Sequence, residues 1–437
     1  METSQQLSSR PLQQVIVERI QHEGPITFAE YMRMALYEPG YGYYVTGPAR
    51  MGWEGDYYTS TDVSSLFAHC MGRQLQQMWE QLAQPALFTV LEQGAGRGDL
   101  GREICSWAAQ ESPSFHAALD YHTADIHTGQ DALQRVSVGG EHGEPHPTPT
   151  DALKRVPTTH AINCPSDAIS KGHTVNRVPT SSPDKSAPAS SALARESVRT
   201  RFSASVILSN ELVDAFPVHI VEKHNDRLYE IFIGVQDGRL YEFLDEPSSQ
   251  DVANYLDSYK IPWRTFEDGW RAEINLDALH WLERTAQLLL GTSPKRKRRG
   301  FILTIDYGDT ARKLYTRHRH RGTLACYFHH QLTDRPLARP GEQDLTAHVN
   351  FTALINEGRR HGLRLHTLTT QRQWLTDMQM YEELEQIRQR DFAIIDQARA
   401  SDQGQVALLK WYDLRQRAMA LTAPGGMGDF KVLILKR

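Results

Sequence analysis

Hydrophobic and polar positions along this chain follow two different periods, and the switches between them divide it into elements. Residues 11 to 36 carry apolar side chains at helical spacing, with Val15, Val17 and Ile20 on one face, and Gly24-Pro25 breaks the run. Two short helices are expected there. The segment Tyr37 to Pro48, YEPGYGYYVTGP, is too rich in Gly, Pro and Tyr for regular structure and reads as an ordered aromatic loop. Helical spacing resumes over residues 63 to 83 and leads into the apolar strand FTVLEQ. A glycine-rich turn, a helix from Leu100 to Ala109 and a second strand, Leu119 to Ile126 with Asp125 near its end, follow. Strand, glycine turn, helix, strand and terminal acid make half of a doubly wound α/β unit.

The pattern then lapses. From about Ser137 to Ser205 the chain turns to Pro, Ser, Thr, Gly and His, with too little apolar surface to offset its ordering entropy, and is expected to be a disordered insertion. It falls where a third strand is expected, and no clear candidate for that strand is visible. Order returns at SVILSNELVDAFP, Ser205 to Pro217, a strand running into a polar turn. Residues 218 to 244 alternate like a β-meander, and helical material with Trp263, Trp270 and Trp281 runs on to Leu290. FILTIDYG, LRLHTL and FKVLILKR read as strands. Helices are expected near Phe351 to His361 and from about Met378 to Leu421. The last strand suits an antiparallel edge strand closing an α/β sheet.

Composition narrows the function classes. At 437 residues the chain has room for two or three structural units, and a net charge of -5 with 23% charged residues gives no global signature for nucleic acid or an anionic membrane. The basic runs Lys295 to Arg299 and Arg317 to Arg321 are local, and such runs are commonly solvated loop ends. Cys70, Cys105, Cys164 and Cys326 include no CxxC pair, and no His cluster has zinc spacing, so no metal is expected. The N-terminal stretch has no signal-peptide core, and no apolar run reaches about 18 residues. A cytoplasmic protein without membrane insertion is expected; the oligomeric state stays open.

Candidate chemistry centres on LEQGAGRGDLG, Leu91 to Gly101. Read from Glu92, it fits acid-x-Gly-x-Gly-x-Gly with Gly94, Gly96 and Gly98, the pattern by which class I methyltransferases hold S-adenosylmethionine. Read from Gly96, it fits the dinucleotide fingerprint through Gly96, Gly98 and Gly101. The second register is weakened because Glu92, Gln93, Gly94 and Ala95 intervene between the strand and its first glycine. Asp125 could accept both ribose hydroxyls of either cofactor.

Asn210, Glu211 and Asp214 follow the apolar strand SVILS, where the carboxyl ends of strands in an open sheet face a ligand crevice. A carboxylate pair can orient a planar guanidinium and balance its charge through bidentate hydrogen bonds. The alternative, that Asn210 and Asp214 cap a following helix, stays open.

Several blocks together resemble the MidA-type class I methyltransferases, related to the mitochondrial complex I assembly methyltransferase. They are GPITFAEYMRMALYEPGYGYY (Gly24 to Tyr44), GDYYTS (Gly55 to Ser60), LEQGAGRGDL, SNELVDAFPV (Ser209 to Val218), LTIDYG (Leu303 to Gly308), GTLACY (Gly322 to Tyr327), PGEQDLTAHVNFTAL (Pro340 to Leu354) and PGGMGDFKVL (Pro424 to Leu433). The resemblance implies a Rossmann-like doubly wound sheet with an antiparallel edge strand, plus N-terminal helices and an inserted β/α subdomain. It implies residues 1–85 as an N-terminal extension and 86–437 as the catalytic domain, with the insertion at about 137–205 and the subdomain at about 218–290.

It also implies S-adenosylmethionine as cofactor and a protein side chain, arginine by analogy, as acceptor, with a respiratory-complex subunit as the partner. Carried onto matching positions, Glu92, Gly94, Ala95, Gly96, Gly98 and Asn210 would line the cofactor, and Asp125 would meet its ribose. Asp56, Thr59 and Ser60 would form part of a cover. Glu211 and Asp214 would be the catalytic pair on the acceptor side. Asp344, Thr346 and His348 match a late polar loop of open role. The chain departs from the family at Phe67-Ala68-His69, where Phe-Gly-Glu is usual, and at Ala95, where proline often stands. Two other functions remain as rivals: a nicotinamide-dependent oxidoreductase, and a non-catalytic assembly factor that keeps the fold.

Overall fold

A computed structural model describes residues 11–46, 64–124, 160–162, 204–291, 298–329, 331–397 and 402–437. The chain opens with α1 (Pro11–Glu23), β1 (Ile26–Thr27), α2 (Phe28–Tyr37), α3 (Tyr43–Thr46) and α4 (Ser65–Gln81). Thr27 caps α2 by accepting the Glu30 N–H, and Ser64 caps α4 through Leu66, so both helices begin where a hydroxyl meets an orphan donor. Then come β2 (Phe88–Gln93), α5 (Asp99–Glu111), α6 (Pro113–Ala118), β3 (Leu119–Ala124), β4 (His160–Ile162) and β5 (Val206–Asn210). A meander follows: β6 (His219–His224), β7 (Arg227–Gln236) and β8 (Arg239–Asp245), then α7 (Gln250–Ser258), β9 (Arg271–Ile274) and α8 (Leu276–Leu290). The Trp-bearing stretch expected to be helical therefore contains a strand, just after Trp270.

The remaining elements are β10 (Phe301–Asp306), β11 (Gly308–Asp309), α9 (Ala311–Leu314), β12 (Ala325–Phe328), β13 (Gln331–Thr333), β14 (Asp344–Thr346), β15 (Val349–Asn350) and α10 (Phe351–Arg360). The chain ends with β16 (Arg364–Thr370), α11 (Gln371–Asp377), α12 (Met380–Gln397), α13 (Asp402–Thr422) and β17 (Lys431–Lys436).

Seven strands form the central sheet in the order β16-β17-β10-β5-β2-β3-β4. The four from β10 to β3 run parallel, so the carboxyl ends of β2, β5 and β10 share one edge. Strand order reverses between β2 and β5, since β3 lies on one side of β2 and β5 on the other, which opens a crevice at that edge. Alternation along each strand splits the apolar side chains between two layers. Val90, Leu208, Leu303, Val432 and Ile434 face α4, α5, α11 and α13. Leu91, Ile207, Ile302, Leu433 and Leu435 face α8 and α10.

The antiparallel strand expected at the edge is displaced inward. β17 pairs antiparallel with both β10 and β16, which leaves β16 outermost. Burial explains the order: β17 is covered on both faces, whereas Arg364, Leu365 and His366 of β16 are exposed, as an edge tolerates. Within the stretch read as an insertion, His160–Ile162 pairs antiparallel with β3, in the place where a third strand was sought.

Packing also joins elements across the expected units. Leu66, Phe67, Met71 and Leu75 of α4 share a core with β2 and α5, so part of residues 1–85 builds the central layer. α8, inside the stretch read as a subdomain, likewise packs on the central sheet through Trp281, Leu282 and Leu289. Farther toward the N-terminus, β1 pairs with β7, and α1 and α2 bury Leu12, Ile16, Phe28 and Tyr31 against Val218, Ile220 and Ile233 of the meander. N-terminal helices and meander thus form one layer beside the crevice.

Candidate active site

The glycine turn leaves the central strand in a conformation that its sequence dictates. Gly94, Gly96 and Gly98 all have positive φ, at 72°, 52° and 71°, a region side-chain-bearing residues rarely enter. Gly98 N–H donates to Ala95 O at 2.8 Å and closes the turn, and Gly98 then caps α5. Gly101 is buried within α5, so it packs a helix and bends no loop. The turn thus uses the Gly94, Gly96, Gly98 register. Just before it, the buried Glu92 accepts the Tyr121 hydroxyl at 3.0 Å, and burial, reinforced by that carboxylate, pushes the phenol pKa far up. Gln93 accepts the Trp281 indole N–H at 2.8 Å, which pins the strand end to α8.

Beside this turn lies the one after β5. A Cβ on Gly94 would stand 2.8 Å from Leu212 Cδ1, so the two turns are in contact. Glu211 has φ 49°, in the left-handed region, with its N–H donating to Ile305 O at 2.8 Å. A strained glutamate at a strand end needs surroundings that hold it there. Asp306, ending the neighbouring β10, supplies them. Its Oδ2 accepts the backbone N–H groups of Leu212, Val213 and Asp214 at 3.3, 2.9 and 3.3 Å, and its Oδ1 accepts the Tyr307 N–H at 2.9 Å. Asn210 Nδ2 donates to Glu211 Oε1 at 3.1 Å. Asp214 lies in a short 3-10 turn, Val213–Ala215, with no side-chain cap, so the helix-cap alternative does not hold for it.

Three carboxylates therefore converge. Burial, then the Asp214 and Glu211 charges, raise the Asp306 carboxyl well above its ordinary range. Burial lifts Asp214 to about 6 against the hydrogen bond of the Tyr307 hydroxyl, which lowers it. Asn210 Oδ1 and Asp214 Oδ1 are both buried without a hydrogen-bond partner.

A second wall faces this acidic turn. Ala347 N–H donates to Asp214 O at 2.9 Å and brings the end of β14 alongside. Asp344 on β14 is buried and accepts the Tyr44 hydroxyl at 2.8 Å. Tyr44 stacks on Tyr37 at 5.6 Å between ring centres, and the Tyr37 hydroxyl donates to Ala215 O at 2.9 Å. Tyr307 meets His348 edge-on at 5.4 Å, and burial together with Arg319 and Lys431 lowers the His348 pKa to about 4. A histidine held neutral at physiological pH is no general acid there.

Of the site residues named from the sequence, Glu92, Gly94, Ala95, Gly96, Gly98, Asn210, Glu211 and Asp214 come together across the β2–β5 switch point. Asp56, Thr59, Ser60 and Asp125 lie outside the described residues. Sequence reasoning gave no role to Asp306, Tyr307, Tyr37 or Tyr44. An acid ending the strand FILTID was a readable signal for Asp306, since strand ends border the crevice. His69, at the position where the family usually has glutamate, contacts Glu383 at 2.5 Å, and Arg73 shares that carboxylate at 2.5 Å, so this departure fastens α4 to α12. Among the described residues no His, Cys, Asp and Glu group has the makings of a metal site, and no helix is long and apolar enough to cross a membrane.

The residues of the site suit S-adenosylmethionine. Three glycines keep the backbone open to a close approach, and the orphaned Asn210 Oδ1 calls for a donor such as the cofactor's ammonium group.

Comparison with known proteins agrees. A family profile described as S-adenosyl-L-methionine-dependent methyltransferase matches residues 70–369. The chain is 26% identical over 350 residues to the protein arginine methyltransferase NDUFAF7, mitochondrial, of Rattus norvegicus, covering 79% of this chain and 69% of the relative. The Homo sapiens counterpart is 26% identical over 347 residues, covering 79% and 68%. A COG1565 superfamily member from Burkholderia thailandensis, bound to S-adenosyl-homocysteine, superposes with a TM-score of 0.69 at 24% identity, covering 98% of this chain and 92% of that one. That likeness establishes the shared fold.

Proposed function

Since this chain belongs to the family of S-adenosyl-L-methionine-dependent methyltransferases, we propose that it methylates a protein arginine positioned by Glu211 and Asp214. The observation that carries this reading is the strained Glu211, in an acidic turn that the buried Asp306 organises beside the glycine loop. When bound, S-adenosylmethionine supplies a methyl group already activated on sulfonium. The chain's own residues then have to orient the acceptor, exclude water and take up one proton.

A guanidinium stays charged in water, and its five N–H donors match carboxylate acceptors. Glu211 is suited to hold one edge of it. As the C–N bond forms at the expense of the donor's S–CH3 bond, which would leave a neutral thioether, the acceptor nitrogen sheds a proton, and Asp214, lifted to about 6 by burial, is the group suited to receive it near neutral pH. The relatives named as protein arginine methyltransferases support arginine as the acceptor. A respiratory-complex subunit is the finer identification that the family resemblance implies.

Glu211→Gln is expected to abolish transfer while calorimetric affinity for S-adenosylmethionine survives. Mass spectrometry of methylated arginine in cells with and without the gene would identify the acceptor. If no methyl mark depended on the gene, the arginine reading would be wrong and the assembly-factor rival would stand.

A further inference from the structure

Across from the acidic turn, the wall built by β14 and α3 is buried and polar. Thr346 is 3% exposed, with its Oγ1 buried beside the Tyr307 hydroxyl. Asp214, 5% exposed, meets the same hydroxyl and leaves Oδ1 without a hydrogen-bond partner. Asp344, 3% exposed, is steadied by the Tyr44 hydroxyl at 2.8 Å, and the stacked Tyr37 ring is raised in pKa by burial and then by the Asp214 and Asp344 charges. Orphaned acceptors in a protein interior are rare because each one costs the hydration it gave up. Here Asp214 Oδ1 gathers with a buried hydroxyl, a second carboxylate and three tyrosine rings. The ligand such a set recognises is a flat cation rich in donors and lacking acceptors, and a guanidinium has that inventory while its faces stack on aromatic rings.

We propose that Asp214, Thr346 and the Tyr44–Asp344 pair form the socket that receives the guanidinium of the acceptor arginine, opposite the glycine loop that faces the methyl donor. This rests on the methyltransferase reading and extends it by assigning the acceptor side to β14 and the N-terminal aromatic turn. Thr346 and Asp214 accept N–H groups from the cation, and Asp344 balances its charge through the wall. Tyr44 acts as a positioning residue, since its hydroxyl fixes the Asp344 carboxylate.

The test uses the full chain saturated with S-adenosylhomocysteine and titrated with N-acetyl-L-arginine methylamide, followed by ligand-observed NMR. The lysine and citrulline analogues serve as controls. The arginine derivative is expected to bind, and both controls to bind about tenfold more weakly or not at all. Thr346→Val and Asp344→Asn are each expected to weaken arginine binding about tenfold, with S-adenosylhomocysteine affinity within about twofold of the original. Thr346→Ser, which keeps the hydroxyl, should restore binding, and thermal melts confirm that each variant is folded.

Absence of S-adenosylhomocysteine binding would overturn the methyltransferase reading itself. Failure of the arginine probe to bind the cofactor-product complex, equal binding of the lysine analogue, or unchanged arginine binding in Thr346→Val and Asp344→Asn would each overturn the socket alone. A loss of S-adenosylhomocysteine affinity in folded Thr346→Val would assign that hydroxyl to the donor side and likewise overturn it.

Discussion

Asp306 Oδ2 accepts the Val213 N–H at 2.9 Å, and through this bond the end of β10 shapes the turn that follows β5. The same oxygen takes the flanking N–H groups of Leu212 and Asp214, so one carboxylate organises three consecutive amides. Asp306→Ala would leave these amides without an acceptor, at a cost of about 1–3 kcal/mol, lessened by relief of repulsion with Asp214. Denaturant unfolding should show a lower midpoint, and methyl transfer should fall further than cofactor affinity. Unchanged stability would mean that the turn does not depend on this carboxylate.

Gly94→Ala tests the contact between the two turns. The new Cβ would lie 2.8 Å from Leu212 Cδ1 on a backbone at φ 72°, and the left-handed conformation alone costs about 1–2 kcal/mol for a side-chain-bearing residue. Affinity for S-adenosylmethionine is expected to drop about tenfold or more by calorimetry. An unaltered affinity would place the donor away from this loop.

Glu211→Gly separates strain from function. Glycine accepts φ 49° without penalty but gains freedom in the unfolded chain, so stability should be unchanged or higher by up to about 1 kcal/mol. Transfer should fall by about two orders of magnitude, as for removal of a group aimed at the reacting centre. Destabilisation with full activity would reverse the assignment.

The pH dependence of stability should differ between two variants in opposite directions. His348 has a folded pKa of about 4, below the ordinary imidazole value of about 6.5, so the neutral ring's contribution is present above the latter and is lost as pH falls from about 6.5 to about 4. Asp214 is shifted the other way, to about 6, so its protonated form contributes at low pH and that contribution is lost as pH rises from about 4 to about 6. Relative to the natural chain, His348→Gln should gain stability as the buffer is made more acidic across its window. Asp214→Asn should gain as the buffer is made more alkaline across its own. Unfolding free energies at pH 4, 5, 6 and 7 decide both; parallel curves for either variant would contradict the corresponding shift.

Glu383 offers a test away from the site. It joins His69 and Arg73 across α4 and α12, and these contacts hold its carboxyl below the usual range despite burial. Glu383→Gln should cost about 1–2 kcal/mol above the normal carboxylate range, with the difference shrinking as pH drops below it. Cofactor affinity should not move.

Much of the fold was legible because its signals are local. The apolar runs in FTVLEQ, SVILSN and FILTID, and the glycines that follow the first of them, act within a few residues. What stayed hidden depends on partners far away in the chain. Nothing near Phe430 says that β17 slots between β10 and β16, because a fully covered strand is distinguished from an edge strand only by what lies on either side. Trp281 reads as generic core until its indole is seen to pin Gln93, 188 positions away. Phe67-Ala68-His69 likewise reads as a lost motif until Glu383 is placed beside it.

By itself, the sequence determined that a glycine turn leaves the first strand, and favoured one register of it. Positive φ is a property of Gly94, Gly96 and Gly98 as residues, since without a Cβ they enter that region freely, and Gly101 falls within a helix-forming run. It also determined that an acidic turn follows β5. Only the tertiary structure decided what that turn is made of, by setting Asp306 beneath it and the Tyr44–Asp344 pair across from it. Those charges are perturbed because packing removes water from around them, and no property of a residue in isolation encodes the dielectric that its neighbours create.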